Sequence, residues 1–181
     1  RKAAGKVSGT DFQLDKSDIK TNADGSKTYS DRLKNAISNV KDLVNEYNET
    51  SDFLRENKSL GKGVQQLTTE FSDTTYKAES YAKMGITVDA KTGKMSVNES
   101  RLARALTDSP AQSEAILGKG GLAGRADRHA QYAQMARSRV IPSMEQAIGG
   151  QLNYAANMLN GRSLPTMQRY SNILNLFSIY V

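Results

Sequence analysis

Residues 31–57 read DRLKNAISNVKDLVNEYNETSDFLREN. The apolar positions in this stretch are separated by steps that alternate between four and three residues, with Ser51 filling one polar step. This is the spacing of a heptad helix, whereas a half-buried strand would alternate every second residue. The apolar positions are Leu33, Ile37, Val40, Val44, Tyr47 and Leu54.

We therefore predict one long helix over this stretch. Ser30 or Asp31 can cap its start by accepting a hydrogen bond from an unpaired backbone N–H group, and Asn57 followed by Gly61 can end it. At about 1.5 Å per residue, the helix is a rod of roughly 35–40 Å. A rod with a narrow apolar seam and two polar flanks needs a partner helix, from this chain or from another.

The sequence on either side of this helix divides into two parts. Residues 1–31 are mostly polar around an Asp24-Gly25 turn signal, and we predict strand and loop there. They read as a return segment from an outer domain outside this sequence, or as a floppy leader. We predict that residues 32–181 form a helical stem-type domain.

Within that domain, a second apolar series from Val64 to Tyr81 predicts another helix, antiparallel to the first across a short turn. Alternating apolar residues around a Lys-Thr-Gly turn predict a β-hairpin at 86–97. Further helices are predicted after Asn98 and Pro110, over 122–148, and over two later segments, 151–160 and 165–181. The predicted fold class is mainly α: an elongated, antiparallel, coiled-coil-like bundle with a small β-hairpin and a short N-terminal β or loop segment.

The composition narrows the functional classes. The chain has 181 residues, no Cys and a net charge of +6. The basic excess lies in residues 101–181, which could attract an anionic partner, but no interleaved aromatic residues accompany it, so a solvated face is the favoured interpretation. No apolar run is long enough for a membrane span.

The sequence contains no motif with the residues and spacing of a catalytic, cofactor-binding or metal-binding site. The single histidine, His129, lies among polar and Arg residues, and we expect an exposed structural side chain. GKGGLA at 118–123 matches a dinucleotide-binding pattern but follows a helical stretch, so we predict a helix-to-helix connector. We predict no catalytic residue, no cofactor and no metal site.

Residues 32–125 resemble the C-terminal region of the flagellar hook-associated protein 2 (filament cap) family. The resemblance rests on VKDLVNEYNETSDFL and on the run MGITVDAKTGKMSVNESRLARALTDSPAQSEAILGKGGLAGR. The matching positions in that run are Gly85-Ile86, Asp89, Gly93, Met95-Ser96-Val97, Asn98, Glu99, Leu102, Ala105-Leu106, Asp108 and Gly120-Gly121-Leu122. Residues 126–181 depart from the family pattern, because they are Ala-rich and interrupted at Pro142 and Gly149-Gly150.

The resemblance implies an extracellular, non-catalytic structural protein of the bacterial flagellum that serves cell motility. Such a protein is exported by the flagellar secretion apparatus, forms a ring at the filament tip and promotes flagellin polymerisation. The expected partners are further copies of the chain, flagellin and hook-associated axial proteins, with an export chaperone during secretion. We predict self-association through the six seam positions of the long helix and through the apolar C-terminal segment, at Leu174, Phe177 and Tyr180.

Two alternatives stay open at this point. One is another exported axial, junction or adhesive helical protein of the flagellum, which would share the heptads without needing the hairpin run. The other is a helical nucleic-acid-binding module that uses the basic second half, for which a steep salt dependence of binding would be diagnostic.

Overall fold

The predicted long helix is the longest element among residues 1–135. A computed structural model describes residues 1–135 of the chain, and in it helix α2 spans Asp31–Glu56. The Ser30 side chain caps its start by accepting a hydrogen bond from the Leu33 backbone N–H at 3.2 Å. Asn57 ends the helix, as the sequence predicts.

The other elements are short, and all follow one another closely. The helices are α1 (Lys2–Ser8), α3 (Lys62–Glu70), α4 (Ala78–Lys83), α5 (Glu99–Asp108), α6 (Pro110–Leu117) and α7 (Leu122–Met135). The strands are β1 (Ile19–Thr21), β2 (Lys27–Tyr29), β3 (Ile86–Val88) and β4 (Met95–Val97). The mainly helical fold class with small antiparallel strand pairs is confirmed.

Helix α2 finds its packing partners inside the chain. α1, α3, α5 and β4 pack against it. The six seam side chains between Leu33 and Leu54 are 0–5% exposed and belong to one continuous core. The seam is therefore covered by elements of the same chain, and self-association through these positions stays a prediction.

The two hairpins are both antiparallel. In the hairpin predicted at 86–97, β3 pairs with β4 so that Ile86 faces Val97, which confirms it. A second hairpin, β1–β2, pairs Ile19 with Tyr29 around the Gly25 turn, where a positive φ of 80° suits glycine. Both Ile19 and Tyr29 pack against the main core.

The N-terminal residues differ from the prediction of strand and loop alone. Residues 2–8 form helix α1, and Ala3, Ala4 and Val7 are buried in the core. The prediction missed this helix because seven residues containing Gly5 carry little helix propensity of their own, and packing on α2 and α7 supplies the stability. The segment is docked and is not a floppy leader.

The prediction of one continuous helix from Val64 to Tyr81 is wrong. α3 ends at Glu70, and a tighter 3₁₀ turn over Asp73–Lys77 precedes α4. Hydroxyl side chains in this region bond to backbone carbonyls, which competes with regular helix. In particular, the Thr74 hydroxyl donates to the Gly93 carbonyl of the β3–β4 turn at 2.8 Å.

The predicted starts of α5 and α6 are confirmed. The Asn98 side chain accepts a hydrogen bond from the Arg101 N–H, and Pro110 occupies the first turn of α6. The predicted connector lies between α6 and α7, where a Cβ on Gly121 would come within 2.0 Å of the Ile116 carbonyl oxygen.

α7 begins at Leu122 as predicted. The remainder of the predicted 122–148 helix, and the predicted helices at 151–160 and 165–181, lie outside the described residues. Within residues 1–135 the structure contains no helix with the length and apolar character needed to cross a membrane.

Asn48 ties α2 to the β3–β4 hairpin. Its side-chain amide donates to the Met95 carbonyl at 2.8 Å, and its carbonyl oxygen accepts from the Met95 N–H at 2.9 Å. Both backbone groups of one strand residue are thereby satisfied by a single side chain, which fixes the hairpin on the long helix.

We predict that Asn48→Ala lowers the free energy of unfolding by about 1–3 kcal/mol, because it leaves two backbone groups of Met95 without their partner. Urea denaturation followed by circular dichroism measures the change. Glu49→Ala, at the exposed neighbouring position, is the control and should change stability by less than about 0.5 kcal/mol. Equal effects of the two substitutions would contradict the role assigned to Asn48.

Candidate interaction site

A cluster of polar side chains joins α7 to the rest of the fold. It draws its members from α2, from the turn after α3, from α4 and from α7. We call it the polar cluster, and its members are Tyr47, Asp73, Tyr81, Arg125 and His129.

Asp73 lies at the centre of the polar cluster. One carboxylate oxygen accepts the Tyr47 hydroxyl at 2.9 Å, and the other lies 3.4 Å from Nη1 of Arg125 and 3.3 Å from Nε2 of His129. Burial alone would raise the pKa of the Asp73 carboxyl. Hydrogen bonds from His129 and Tyr47, together with the nearby positive charge, outweigh burial and hold that pKa below its ordinary value.

The two tyrosines act as hydrogen-bonding partners in their neutral form. Burial, reinforced by the Asp73 charge, raises the pKa of Tyr47 well above its usual range. Burial also raises the pKa of Tyr81 to about 12, although the Arg125 charge opposes the shift. The Arg125 guanidinium hydrogen-bonds to the Tyr81 hydroxyl and lies 5.7 Å from the Tyr81 ring centroid, in the range of a cation–π contact.

His129 differs from the expectation of an exposed side chain. It is 13% exposed, and its ring lies 5.2 Å from the Phe71 ring. Nε2 faces Asp73, while Nδ1 lies 3.9 Å from a Glu70 carboxylate oxygen. His129 lies three residues after Ala126 and four before Ala133, so the three side chains share one side of α7. The two alanines are buried, and His129 at the border of this face is buried with them when α7 packs on the rest of the fold.

The chemistry of the polar cluster is that of a satisfied ion-pair network. Among residues 1–135, each fully buried side-chain polar atom has a hydrogen-bond partner. The two ring nitrogens of His129 face the Glu70 and Asp73 carboxylates, which orients the ring. No group of three His, Cys, Asp or Glu side chains in the described part of the chain has the geometry to hold a metal ion.

An apolar groove lies beside the polar cluster and shares Tyr47 with it. Its floor and walls come from α1, α2, α3 and α7, with small alanines on the α7 side. We call it the α2–α7 groove. It is lined by Arg1, Ala4, Leu43, Glu46, Tyr47, Thr50, Leu54, Leu67, Phe71, Ala126, Ala130, Ala133 and Gln134.

The predicted self-association residues are distributed over three places. Tyr47 and Leu54 line the α2–α7 groove. All six α2 positions, these two included, lie in the core. Leu174, Phe177 and Tyr180 lie outside the described residues. Asp73, Tyr81 and Arg125 were not among the predicted site residues. The available signal was the four-residue spacing of Arg125 and His129, which places both at one edge of an Ala-rich helical face.

We predict that Asp73→Asn lowers the free energy of unfolding at pH 7 by roughly 2–3 kcal/mol, because Arg125, 18% exposed, loses its charged partner. Chemical denaturation at several pH values measures this.

The pH dependence follows from the lowered pKa of Asp73. Its contribution is fully present above the unfolded-state pKa and is lost as the pH falls through the folded-state pKa. The Asp73→Asn protein should therefore lose less stability on acidification than the wild type. Asp42→Asn, which removes the partner of a well-exposed ion pair, is the matched control. If the free energy of unfolding of the wild type and of Asp73→Asn fell in parallel as the pH is lowered, the role given to Asp73 would be contradicted.

Comparison with known proteins bears on the chain from the last part of α2 onward. Residues 50–174 match the family model described as flagellar hook-associated protein 2 C-terminus. The match covers more than half of the chain. It also extends through most of residues 126–181, the segment that departs from the family pattern in the sequence. No curated protein and no solved structure gives a significant match. The chain belongs to the flagellar hook-associated protein 2 family, a family of structural flagellar proteins, and contains sequence of its C-terminal region.

Proposed function

We propose that this chain is part of a filament-cap protein that sits at the tip of the flagellar filament and promotes the polymerisation of flagellin. The observation that carries the proposal is the family match over residues 50–174. The mode of action is structural: copies associate and present a surface to incoming subunits, and no chemical step is catalysed.

The arrangement of the fold supports a scaffold of this kind. α2 carries α1, α3, α5 and the β3–β4 hairpin on its sides, and the polar cluster holds α7 in a defined position. A rigid frame of this sort keeps an interaction surface in one geometry, which lowers the entropic cost of association.

Self-association is the part of the proposal that involves named residues. The six α2 seam positions build the frame, and Tyr47 and Leu54 also line the α2–α7 groove. We include Leu174, Phe177 and Tyr180 in the proposed interface because of the apolar character of their sequence segment. The further partners are flagellin and hook-associated axial proteins, with an export chaperone before secretion, and the location is extracellular at the flagellum.

Immunogold labelling of the source bacterium with an antibody against this chain tests the proposed location. We expect gold at the free tips of the filaments. Label along the filament or at its junction with the hook would contradict the cap assignment and favour another axial or junction protein. Label confined to the cell interior would contradict export altogether.

Self-association predicts a specific effect of the apolar C-terminal segment. Multi-angle light scattering of the full chain should show mass rising above that of a monomer with concentration. The double substitution Leu174→Ser and Phe177→Ser should weaken this association by about tenfold or more, since large buried apolar side chains contribute about 1.5–3 kcal/mol each. Ser171→Ala, in the same segment, is the control. Unchanged association in the double variant would exclude the segment from the interface.

A further inference from the structure

The buried face of α7 is made mostly of small side chains. Leu122, at the start of the helix, is its one large apolar side chain that is buried. The other buried residues of α7 are Ala123, Gly124, Ala126 and Ala133. An alanine side chain is a single methyl group and makes fewer apolar contacts than a leucine side chain. One large apolar side chain therefore anchors α7, whereas the shorter helix α5 buries both Leu102 and Leu106 completely.

The packing beneath α7 also leaves space unfilled. The lining of the α2–α7 groove encloses about 70 Å³, with Leu43 and Leu54 among its residues on α2. On the α7 side the lining includes Ala126, Ala130 and Ala133. Side chains around a void lack contact partners on one side and forfeit part of their packing energy. The contact between α7 and the side chains of α2 is therefore incomplete.

Charged side chains form polar attachments of α7. Arg125 and His129 lie 3.4 Å and 3.3 Å from a carboxylate oxygen of Asp73. At the other attachment, Asp127 lies 3.1 Å from the Arg1 guanidinium, and both side chains are more than one third exposed. Exposed ion pairs contribute little to stability, because water screens them. Asp73 is therefore the centre of the polar attachment of α7.

A glycine-rich connector joins α6 to α7. Residues 118–121 read GKGG, and Lys119 and Gly120 within them are exposed. Glycine tolerates a wide range of backbone dihedral angles, and hinge movements are absorbed by a few such positions between rigid elements. The connector therefore permits α7 to move away from the fold while α6 stays in place.

We propose that α7 opens as a unit from the rest of the fold, turning about residues 118–121 while α2, α3 and α5 stay folded. The closed form predominates, and the open form is a minor population in exchange with it. Opening separates α7 from Asp73 and uncovers Leu54 and Phe71, which line the space beneath α7. This conformational change lies beyond the proposed function and does not depend on it.

Because the chain has no Cys, single introduced cysteines report the opening. Ala126 and Ala133, 9% and 7% exposed, line the unfilled space, so a sulfur atom fits at either position. The variants are Ala126→Cys and Ala133→Cys, with Ala36→Cys on α2 and Ala103→Cys on α5 as controls at fully buried alanines. Each full-length variant, shown to be folded by circular dichroism, is reacted at low concentration with a thiol reagent at several urea concentrations below the unfolding transition.

We expect the two α7 cysteines to react at the same rate within about twofold, because one opening exposes both. They should react at least about tenfold faster than the control cysteines, which become accessible only when the whole fold opens. Their rates should rise with urea, but less steeply than the control rates, since opening one helix exposes less surface than global unfolding.

Three results would overturn the inference. Rates and urea slopes at positions 126 and 133 that equal those of the controls would show that α7 leaves only when the whole fold unfolds. A much faster reaction of Ala133→Cys than of Ala126→Cys would show fraying from one end of the helix. Rates that do not change with urea would show that the reagent reaches these positions in the closed form.

The polar attachment provides an independent test. Asp73→Asn, added to Ala126→Cys, should speed the reaction at position 126 by about tenfold or more, because Arg125 loses its charged partner in the closed form. Asp42→Asn, which removes the partner of a well-exposed ion pair, is the control and should change the rate by less than about twofold. An unchanged rate in the Asp73→Asn variant would contradict the inference and leave the proposed function standing.

Discussion

The burial of one face of α2 is the constraint on which the rest of the fold depends. Isolated short helices and two-stranded hairpins are marginal in water, and the elements around α2 are all of this kind. Each becomes stable by covering part of the same apolar stripe. Removing apolar surface from water stabilises the fold by about 25 cal/mol per Å², so each element gains in proportion to the part of the stripe that it covers. The heptad spacing of α2 therefore acts first within the chain.

The polar cluster adds what apolar packing cannot provide. α7 is rich in alanine and packs on α1, α3 and α6. Its position is also fixed by Arg125 and His129, which converge on Asp73 in the turn after α3. Buried charges are costly unless they are paired, so this network tolerates few alternative placements of α7. The position of α7 in turn sets the width of the α2–α7 groove.

The features predicted correctly from the sequence are those determined by neighbouring residues. The span of α2, the Ser30 and Asn98 caps, the Pro110 start and the β3–β4 hairpin all follow from periodicity or from side chains within a few positions. The features that were missed depend on distant partners. Thr74 interrupts the second predicted helix through the Gly93 carbonyl. His129 is buried because α7 packs it against Phe71 and Asp73, which lie more than 50 positions earlier in the sequence.

The same distinction separates the site from the fold. Periodicity identified the apolar positions of α2, but it could not tell whether their partners belong to this chain or to another copy. Tertiary packing answers this for residues 1–135, where α1, α3, α5 and β4 cover the seam. Family membership then gives the coarse function, that of a structural flagellar protein.

The packing of α1, α3, α5 and β4 on α2 implies that a single copy of the chain buries the seam of α2 without a partner. Hydrogen exchange of the full chain, read by mass spectrometry at a concentration where it is monomeric and again where copies associate, tests this most directly. We predict that α2 amides are among the slowest to exchange in the monomer and that association adds little protection to them. Rapid exchange along α2 in the monomer, with protection appearing only on association, would contradict the account.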